Sequence, residues 1–210
     1  MRVLVGCEKS GVVRDAFSAR GHDAWSCDIL PSDTPGQHLQ QDVLTVLHMG
    51  WDLAIFHPEC TFLTSAAEWA YGPGPYHQKV KPGTLTGEAR QQARREAVDF
   101  VLQLWESGIP KIVIENPVGV LSRYLGRPQV IQPWQFGEDA SKATCLWLKG
   151  VSPLVINPAD AFPPRLVNGK PRWSNQTDGG FNKLPPSATR AADRARTYPG
   201  IARQMASQWG

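Results

Sequence analysis

The pentapeptide His57–Thr61 combines residue types that could form a covalent bond to a substrate. Its cysteine, Cys60, lies just beyond the apolar run Asp52–Phe56 and is flanked by polar residues and a proline. Most free cysteines are small buried hydrophobes, whereas a cysteine just past a strand is accessible. Such a residue is a candidate nucleophile if its thiolate is stabilised. A structural cysteine is the alternative that the residues leave open.

A second polar group follows another apolar run. Glu115 and Asn116 come directly after Lys111–Ile114 and precede Pro117. A glutamate here could donate a proton to a substrate atom on which negative charge develops. It could instead cap a helix that begins near Pro117. The sequence leaves both roles open.

The N-terminal segment has the pattern of a nucleotide pocket. An apolar run, Arg2–Val5, leads into a turn that contains Gly6 and Gly11, and Asp28 lies 22 residues after Gly6. An acid at this spacing can accept hydrogen bonds from ribose hydroxyls. A plain tight turn and a capping role for Asp28 are the alternatives.

These residues need a scaffold that brings them to one edge. Alternating strands and helices predict a mostly parallel sheet, which binds ligands at the carboxyl ends of its strands. Thr61–Gly87 is rich in Gly and Pro and is predicted to be a long mobile loop beside the site. Predicted strands are Arg2–Val5, His22–Cys27, a segment ending at Asp42, Asp52–Phe56, Lys111–Ile114 and Thr144–Leu148; predicted helices are 12–21, Glu88–Glu106 and Thr189–Trp209, the last broken at Pro199.

Composition narrows the class of protein. The 210 residues, 41% of them hydrophobic, predict one domain with one core, and no apolar run approaches the roughly 20 residues of a membrane span. Four widely spaced cysteines argue against a zinc site and against disulfides, so we expect no metal and a reducing cytoplasm. Residues 163–205 carry eight Lys or Arg against two Asp, which suits a polyanionic partner. A solvated basic face is the alternative.

In their order along the chain, these motifs resemble the DNA cytosine-5 methyltransferase family, and particularly its small phage and prophage members. The resemblance implies an α/β, Rossmann-like, S-adenosylmethionine-dependent methyltransferase fold. In that fold a mostly parallel seven-stranded sheet carries helices on both faces. Residues 150–188 would be a minimal target-recognition segment, and residues 189–210 would pack back on the core. S-adenosyl-L-methionine is the implied cofactor, with S-adenosyl-L-homocysteine as product.

The resemblance also implies the roles of individual residues. Cys60, Glu115 and Asn116 match the catalytic motifs. The first loop would hold the methionine part of the cofactor, an acid with an apolar neighbour would hold the ribose and adenine, and a second acid would reach the adenine amino group. The strand SKATCLWL would contact bases. Implied cofactor residues are Gly6, Cys7, Glu8, Lys9, Ser10, Gly11, Asp28, Ile29, Asp42, Val43 and Pro58; implied substrate residues are Glu59, Thr61, Thr64, Lys142, Thr144, Arg190, Arg194 and Arg196.

The implied chemistry explains these residue types. A thiolate at Cys60 would add to C6 of cytosine, while Glu115 hydrogen bonds or protonates N3 and Asn116 holds the nucleophile loop. The base must leave the stack of a duplex, and the loop 61–87 is the candidate to fill the gap.

Three departures from the family pattern bear on these expectations. Glu59 replaces a proline before the nucleophile, Pro117 replaces a valine, and residues 150–188 are far shorter than the usual recognition region. If Glu59 faces Cys60, it raises the pKa of that thiol; if it points away, toward Lys9 or a base edge, Cys60 ionises normally.

The short recognition segment favours one alternative, methylation of a free cytosine nucleotide or of RNA. Glu59 favours another, a catalytically degenerate relative that binds nucleic acid. We expect a DNA-binding monomer in the cytoplasm of a bacterial host cell, where it protects phage DNA from restriction.

Overall fold

Seven strands form one sheet in the computed structural model, which describes residues 1–77, 79–184 and 196–210. The strands follow the order β3-β2-β1-β4-β5-β7-β6 across the sheet. All neighbours from β3 to β5 are parallel, and β7 is antiparallel to both β5 and β6. The strands are β1 (Arg2–Gly6), β2 (Asp23–Asp28), β3 (His38–Gln40), β4 (Leu53–Phe56), β5 (Lys111–Asn116), β6 (Gln129–Ile131) and β7 (Thr144–Lys149).

This topology is compatible with a Rossmann-like fold. The order 3-2-1-4-5-6 of the dinucleotide-binding fold recurs here, with β7 inserted between β5 and β6. The predicted α/β class and mostly parallel sheet are confirmed, whereas the three-residue strand β6 was not predicted.

Helices cover both faces of the sheet. Four α-helices are described: α1 (Val12–Ser18), α2 (Gly87–Trp105), α3 (Ser122–Leu125) and α4 (Pro199–Trp209). Buried residues of α2, such as Val101, pack on one face, and buried residues of α1 and α4, such as Phe17 and Met205, pack on the other. No helix in the described ranges is both long and apolar enough to cross a bilayer.

The prediction that Thr61–Gly87 is irregular is wrong in its first half. A 3-10 helix, Ser65–Tyr71, begins after Thr64, whose side chain caps it. Two arginines of α2 hold this helix in place, since the guanidinium carbons of Arg90 and Arg94 lie 4.8 and 3.4 Å from the ring centroid of Tyr71. These contacts are between residues about 20 positions apart, so no local pattern predicts them.

The segment 150–188 is more regular than its composition suggests. It contains a two-stranded antiparallel ribbon, β8 (Arg165–Val167) and β9 (Lys170–Arg172). Trp173 follows the ribbon, is buried, and stacks on Trp134 with ring centroids 5.2 Å apart. This aromatic contact anchors the ribbon to the main body.

The C-terminal helix begins where a break was predicted. Pro199 occupies the first turn of α4, a position where its missing N–H group costs nothing. α4 packs on the core beside α1, as expected for the end of the chain. The predicted helical segment from Thr189 to residue 195 lies outside the described residues.

Candidate active site

The loop after β4, residues 57–64, contains Cys60 and is called the cysteine loop below. It meets Glu115 at the carboxyl ends of two neighbouring strands, β4 and β5. β4 and β5 pair in parallel with Phe56 opposite Ile114, so the next residues, His57 and Glu115, lie side by side. His57 Nδ1 and Glu115 Oε2 are 3.1 Å apart, and both side chains are about one-tenth exposed. The role of His57 was missed because this contact joins residues 58 positions apart.

Asn116 ties the two strand ends together. Its Nδ2 donates a hydrogen bond of 2.8 Å to the carbonyl oxygen of Pro58. Asn116 is buried, and its Oδ1 has no partner among the described residues. Pro58 therefore contributes its carbonyl to loop geometry, and the cofactor contact that the resemblance implies for Pro58 stays a prediction.

Glu115 does not cap a helix at Pro117, which excludes that alternative. The segment after Pro117 runs along the cysteine loop, where Val120 N–H donates to the Leu63 carbonyl at 2.9 Å. The next helix begins only at Ser122.

Cys60 is exposed as a residue, yet its thiol resists ionisation. Burial of the sulfur is the largest cause that raises the pKa of Cys60, followed by the charge of Glu115. The Lys142 charge acts in the opposite direction, and Glu59 raises the pKa slightly further. The resting protein therefore holds Cys60 mainly as a thiol at neutral pH.

Glu115 is held in its ionised form. Burial alone would raise its pKa, but the hydrogen bond with His57 and the charge of Lys142 outweigh burial and lower the pKa below the usual value. The carboxylate is thus a proton acceptor at rest.

Glu59 points neither at Lys9 nor directly at the thiol. Its carboxylate accepts a 2.6 Å hydrogen bond from the hydroxyl of Thr61, whereas Lys9 pairs with Asp33 at 2.7 Å. The suggested contact between Glu59 and Lys9 is therefore wrong. Glu59 and Thr61 are both exposed on the cysteine loop.

Thr144, the first residue of β7, and Lys142, which precedes β7, were both expected to contact bases of the substrate, but the two side chains differ in their surroundings. Thr144 is buried and donates its hydroxyl to the carbonyl of Lys142 at 3.2 Å, which contradicts a direct base contact. Lys142 lies close enough to Cys60 and Glu115 to change the pKa of each. Through this hydrogen bond Thr144 fixes the backbone of Lys142, whose charge lowers the pKa of Cys60 and of Glu115.

The first loop passes close to the two predicted acids. Gly11 has φ 73° and Cys7 has φ 57°, a conformation that side chains rarely adopt. Burial, then the charge of Asp28 and that of Asp42, raise the pKa of Cys7 to about 12. The acids after β2 and β3 thus lie beside the turn after β1.

Each of these acids uses one carboxylate oxygen locally. Asp28 Oδ1 accepts from Leu30 N–H, and Asp42 Oδ1 accepts from Leu44 N–H, each at 2.9 Å. Within the described part of the chain Oδ2 of each is left for a ligand. Ile29, next to Asp28, is 72% exposed and offers an apolar surface beside the carboxylate.

Three implied cofactor residues serve the protein's own packing. Glu8 accepts hydrogen bonds from Val13 N–H at 2.9 Å and from Ser10 Oγ at 3.0 Å, so its carboxylate caps α1. A Cβ on Gly6 would overlap the side chains of Phe56 and Val43, and Val43 itself is buried in the core. The contact of Gly6, Glu8 and Val43 with the cofactor, which the resemblance implies, stays a prediction.

Arg14 supports the same pocket and was missed by sequence reasoning. Although its side chain is 1% exposed, its guanidinium donates to Ser26 Oγ at 3.0 Å, Thr34 Oγ1 at 2.8 Å and the Pro35 carbonyl at 2.9 Å. It thereby fixes the loop that follows Asp28. A lone arginine in a helix carries no sequence signal for this role.

The remaining predicted substrate residues are spread out. Thr64 lies on the cysteine loop and caps the following 3-10 helix. Arg196 is 57% exposed and lies 3.8 Å from Asp33. Arg190 and Arg194 lie outside the described residues.

No protein-family model matches the chain, and no curated protein is significantly similar to it. Within the described ranges, no three or more His, Cys, Asp or Glu side chains are arranged to bind a metal ion.

Proposed function

We propose that this protein is an S-adenosylmethionine-dependent methyltransferase that acts on C5 of cytosine in DNA. One observation carries the proposal: the nucleophile loop meets Glu115 and Asn116 at adjacent strand ends, and the 2.8 Å bond from Asn116 to Pro58 joins them. Addition of a thiol to C6 of cytosine requires a nucleophile on one side and a proton donor for N3 on the other. Cys60 and Glu115 have these chemical types.

The residues beside β1, β2 and β3 fit the cofactor. Oδ2 of Asp28 can accept from ribose hydroxyls, Oδ2 of Asp42 from the adenine amino group, and the exposed Ile29 can lie against the adenine ring. When bound, S-adenosylmethionine supplies an electrophilic methyl group for C5 of the cytosine.

The position of the Glu8 carboxylate distinguishes a cofactor that contains phosphate from one that does not. In dinucleotide-binding folds the pyrophosphate takes the N–H groups at the start of the first helix. Here the Glu8 carboxylate takes those of Val13 and Arg14, at 2.9 and 3.4 Å. A second anion at this position would be repelled, which favours a nucleoside cofactor without phosphate.

Cys60 and Glu115 account for the addition step. The Cys60 sulfur bonds to C6, electrons move to N3, and N3 takes a proton from Glu115. After methylation a base removes the proton from C5, the bond between sulfur and C6 breaks, the thiolate is released, and N3 returns its proton to Glu115.

The ribbon supports a polyanionic substrate. Lys170 and Arg172 lie on β9, whereas Arg165 on β8 pairs with Asp178 at 2.6 Å, and the side chain of Phe181 nearby is 76% exposed. Asn175 Nδ2 donates to the Ser141 carbonyl at 2.9 Å, which anchors the ribbon next to Lys142 at the active site. A basic surface with an exposed aromatic ring suits contact with phosphates and bases.

Incubation with radiolabelled S-adenosylmethionine and, separately, duplex DNA, single-stranded DNA, RNA and dCMP tests the proposal. We expect label in cytosine of duplex DNA, lost in Cys60→Ala and retained in Cys27→Ala, a matched change of a buried cysteine. Label on RNA or dCMP alone would assign the enzyme to those substrates, and the absence of label on every substrate would overturn the proposal.

A further inference from the structure

Among the described residues, the side chain of His57 has one hydrogen-bond partner, which is Glu115. Its Nδ1 lies 3.1 Å from Glu115 Oε2, whereas its buried Nε2 has no partner within the described part of the chain. A proton on a buried Nε2 would be left without an acceptor, which is costly. Nδ1 therefore carries the proton, and His57 donates it in a hydrogen bond to the carboxylate.

Four titratable groups face Glu115. His57 and Cys60 approach from the loop after β4, and Lys142 and Cys145 approach from β7 and the residues before it. Lys142 and His57 favour the anionic carboxylate, whereas that anion raises the pKa of both cysteines.

In the resting protein the protonation states of Cys60 and Glu115 are the reverse of those needed for addition of the sulfur to C6. Cys60 is a thiol at rest, but a thiolate must attack C6. Glu115 is a carboxylate at rest, but N3 needs a proton donor. One proton transfer, from Cys60 to Glu115, corrects both at once.

We propose that His57 is a positioning residue that keeps Glu115 ionised in the resting protein, so that Glu115 receives the thiol proton of Cys60 and passes it to N3 of cytosine. The proposal rests on the proposed function for its second step. The S–H bond breaks and the electron pair stays on sulfur, while an O–H bond forms on Glu115. The sulfur then bonds to C6, the π electrons move through C5 and C4 to N3, and the Glu115 proton is transferred to N3.

The two ways of activating Cys60 give different dependences on pH. If Glu115 takes the proton, the rate needs only an ionised Glu115 and stays flat across neutral pH. If the thiolate forms beforehand by loss of its proton to water, and N3 takes its proton from water and not from Glu115, the rate rises about tenfold per pH unit up to the thiol pKa, which is raised. We expect the flat profile.

Substitution of His57 separates a proton-controlling role from a structural one. His57→Leu removes the N–H donor, so the pKa of Glu115 should rise, because burial is then opposed only by the charge of Lys142. His57→Gln keeps a donor, so Glu115 stays ionised. His48→Leu, an exposed histidine before β4, is the matched control.

Single-turnover methyl transfer to duplex DNA, measured between about pH 6 and pH 8.5 with saturating cofactor, tests this role. We expect at least a tenfold loss in His57→Leu near pH 6 that recovers as pH rises, and flat profiles for wild type, His57→Gln and His48→Leu. A wild-type rate that rises tenfold per pH unit, or a pH-independent loss in His57→Leu, would overturn the proposal.

A measurement that needs no turnover keeps the two proposals apart. In protein labelled with carbon-13 at glutamate carboxyl groups, NMR titration should place the pKa of Glu115 higher in His57→Leu than in wild type and unchanged in His57→Gln. An unchanged pKa in the folded His57→Leu protein would overturn the role of His57. Inactive wild type with the expected titration would overturn only the methyltransferase function.

Discussion

Asn116 donates its side-chain amide to the carbonyl of Pro58 at 2.8 Å, and this bond fixes the cysteine loop to the strand that carries Glu115. The two residues are 58 positions apart in the chain. Because of this contact, the position of Cys60 relative to Glu115 is determined by the pairing of β4 and β5 and not by the loop alone.

Asn116→Ala should therefore reduce the rate of methyl transfer more than it reduces cofactor affinity. Losing a buried hydrogen bond costs about 1–3 kcal/mol, or roughly five- to 160-fold in rate if the loss falls on the transition state. Asn116→Asp keeps the shape but lacks the donor and should behave similarly. Single-turnover rates and calorimetric cofactor binding check this, and full activity in Asn116→Asp would contradict it.

Asp28→Ala should weaken S-adenosylmethionine binding by about 1.5–3 kcal/mol, the usual cost of losing a hydrogen bond to a charged group. The free Oδ2 of Asp28 is the expected acceptor. Isothermal titration calorimetry measures the change, with Asp99→Ala, an exposed acid on α2, as the control. Equal affinities for wild type and Asp28→Ala would remove Asp28 from the pocket.

The charges around Cys60 should move its reactivity in opposite directions. Glu59→Gln removes an anion that raises the pKa of Cys60, and Lys142→Met removes a cation that lowers it. Near neutral pH, alkylation of Cys60 by iodoacetamide should therefore quicken in Glu59→Gln and slow in Lys142→Met. Because burial is the largest cause of the raised pKa, we expect the Glu59 effect to be small.

In the alkylation experiment, Lys170→Met on the exposed ribbon is the control for Lys142→Met, because it also removes one positive charge. A large gain in methyl transfer at neutral pH in Glu59→Pro would show that Glu59, rather than burial, limits the nucleophile. A slower alkylation in Glu59→Gln would reverse the sign of the electrostatic account.

DNA binding should depend steeply on salt and weakly on sequence. The short segment 150–188 presents mainly cations, so we expect a target of about two to four base pairs and binding dominated by phosphate contacts. Lys170→Ala, Arg190→Ala and Arg194→Ala should each weaken binding evenly across sequences and lower the salt slope. Salt-dependent binding assays and bisulfite sequencing of methylated plasmid check this; a strict six-base-pair target would contradict it.

Sequence patterns predicted the parts of the fold that local chemistry determines. Val101 and its neighbours on α2 repeat at helical spacing, and the apolar run of β4 leads directly to the cysteine loop. Strand β6 and the ribbon have only three residues per strand, which is too short for a recognisable alternation.

Candidate site residues could be predicted where they follow an apolar run in the sequence. They could not be predicted where their role depends on contacts between segments that are distant in the sequence. Cys60 follows β4 and Glu115 lies near the end of β5, and the apolar runs before them indicated both positions. The contact of His57 with Glu115 and the burial of Arg14 depend on pairings between distant segments. Thr144 was misassigned because its burial depends on β6 and β5 covering β7 on both edges.

Covalent trapping tests the central claim most directly. Wild-type protein, S-adenosylmethionine and duplex DNA containing 5-fluorocytosine should give an adduct that survives denaturation, because the fluorine on C5 cannot be removed as a proton can. Peptide mapping should place the DNA on Cys60, and Cys60→Ala should give no adduct while it still binds cofactor. The account would be contradicted by a wild-type protein that forms no adduct, or by an adduct that persists in Cys60→Ala.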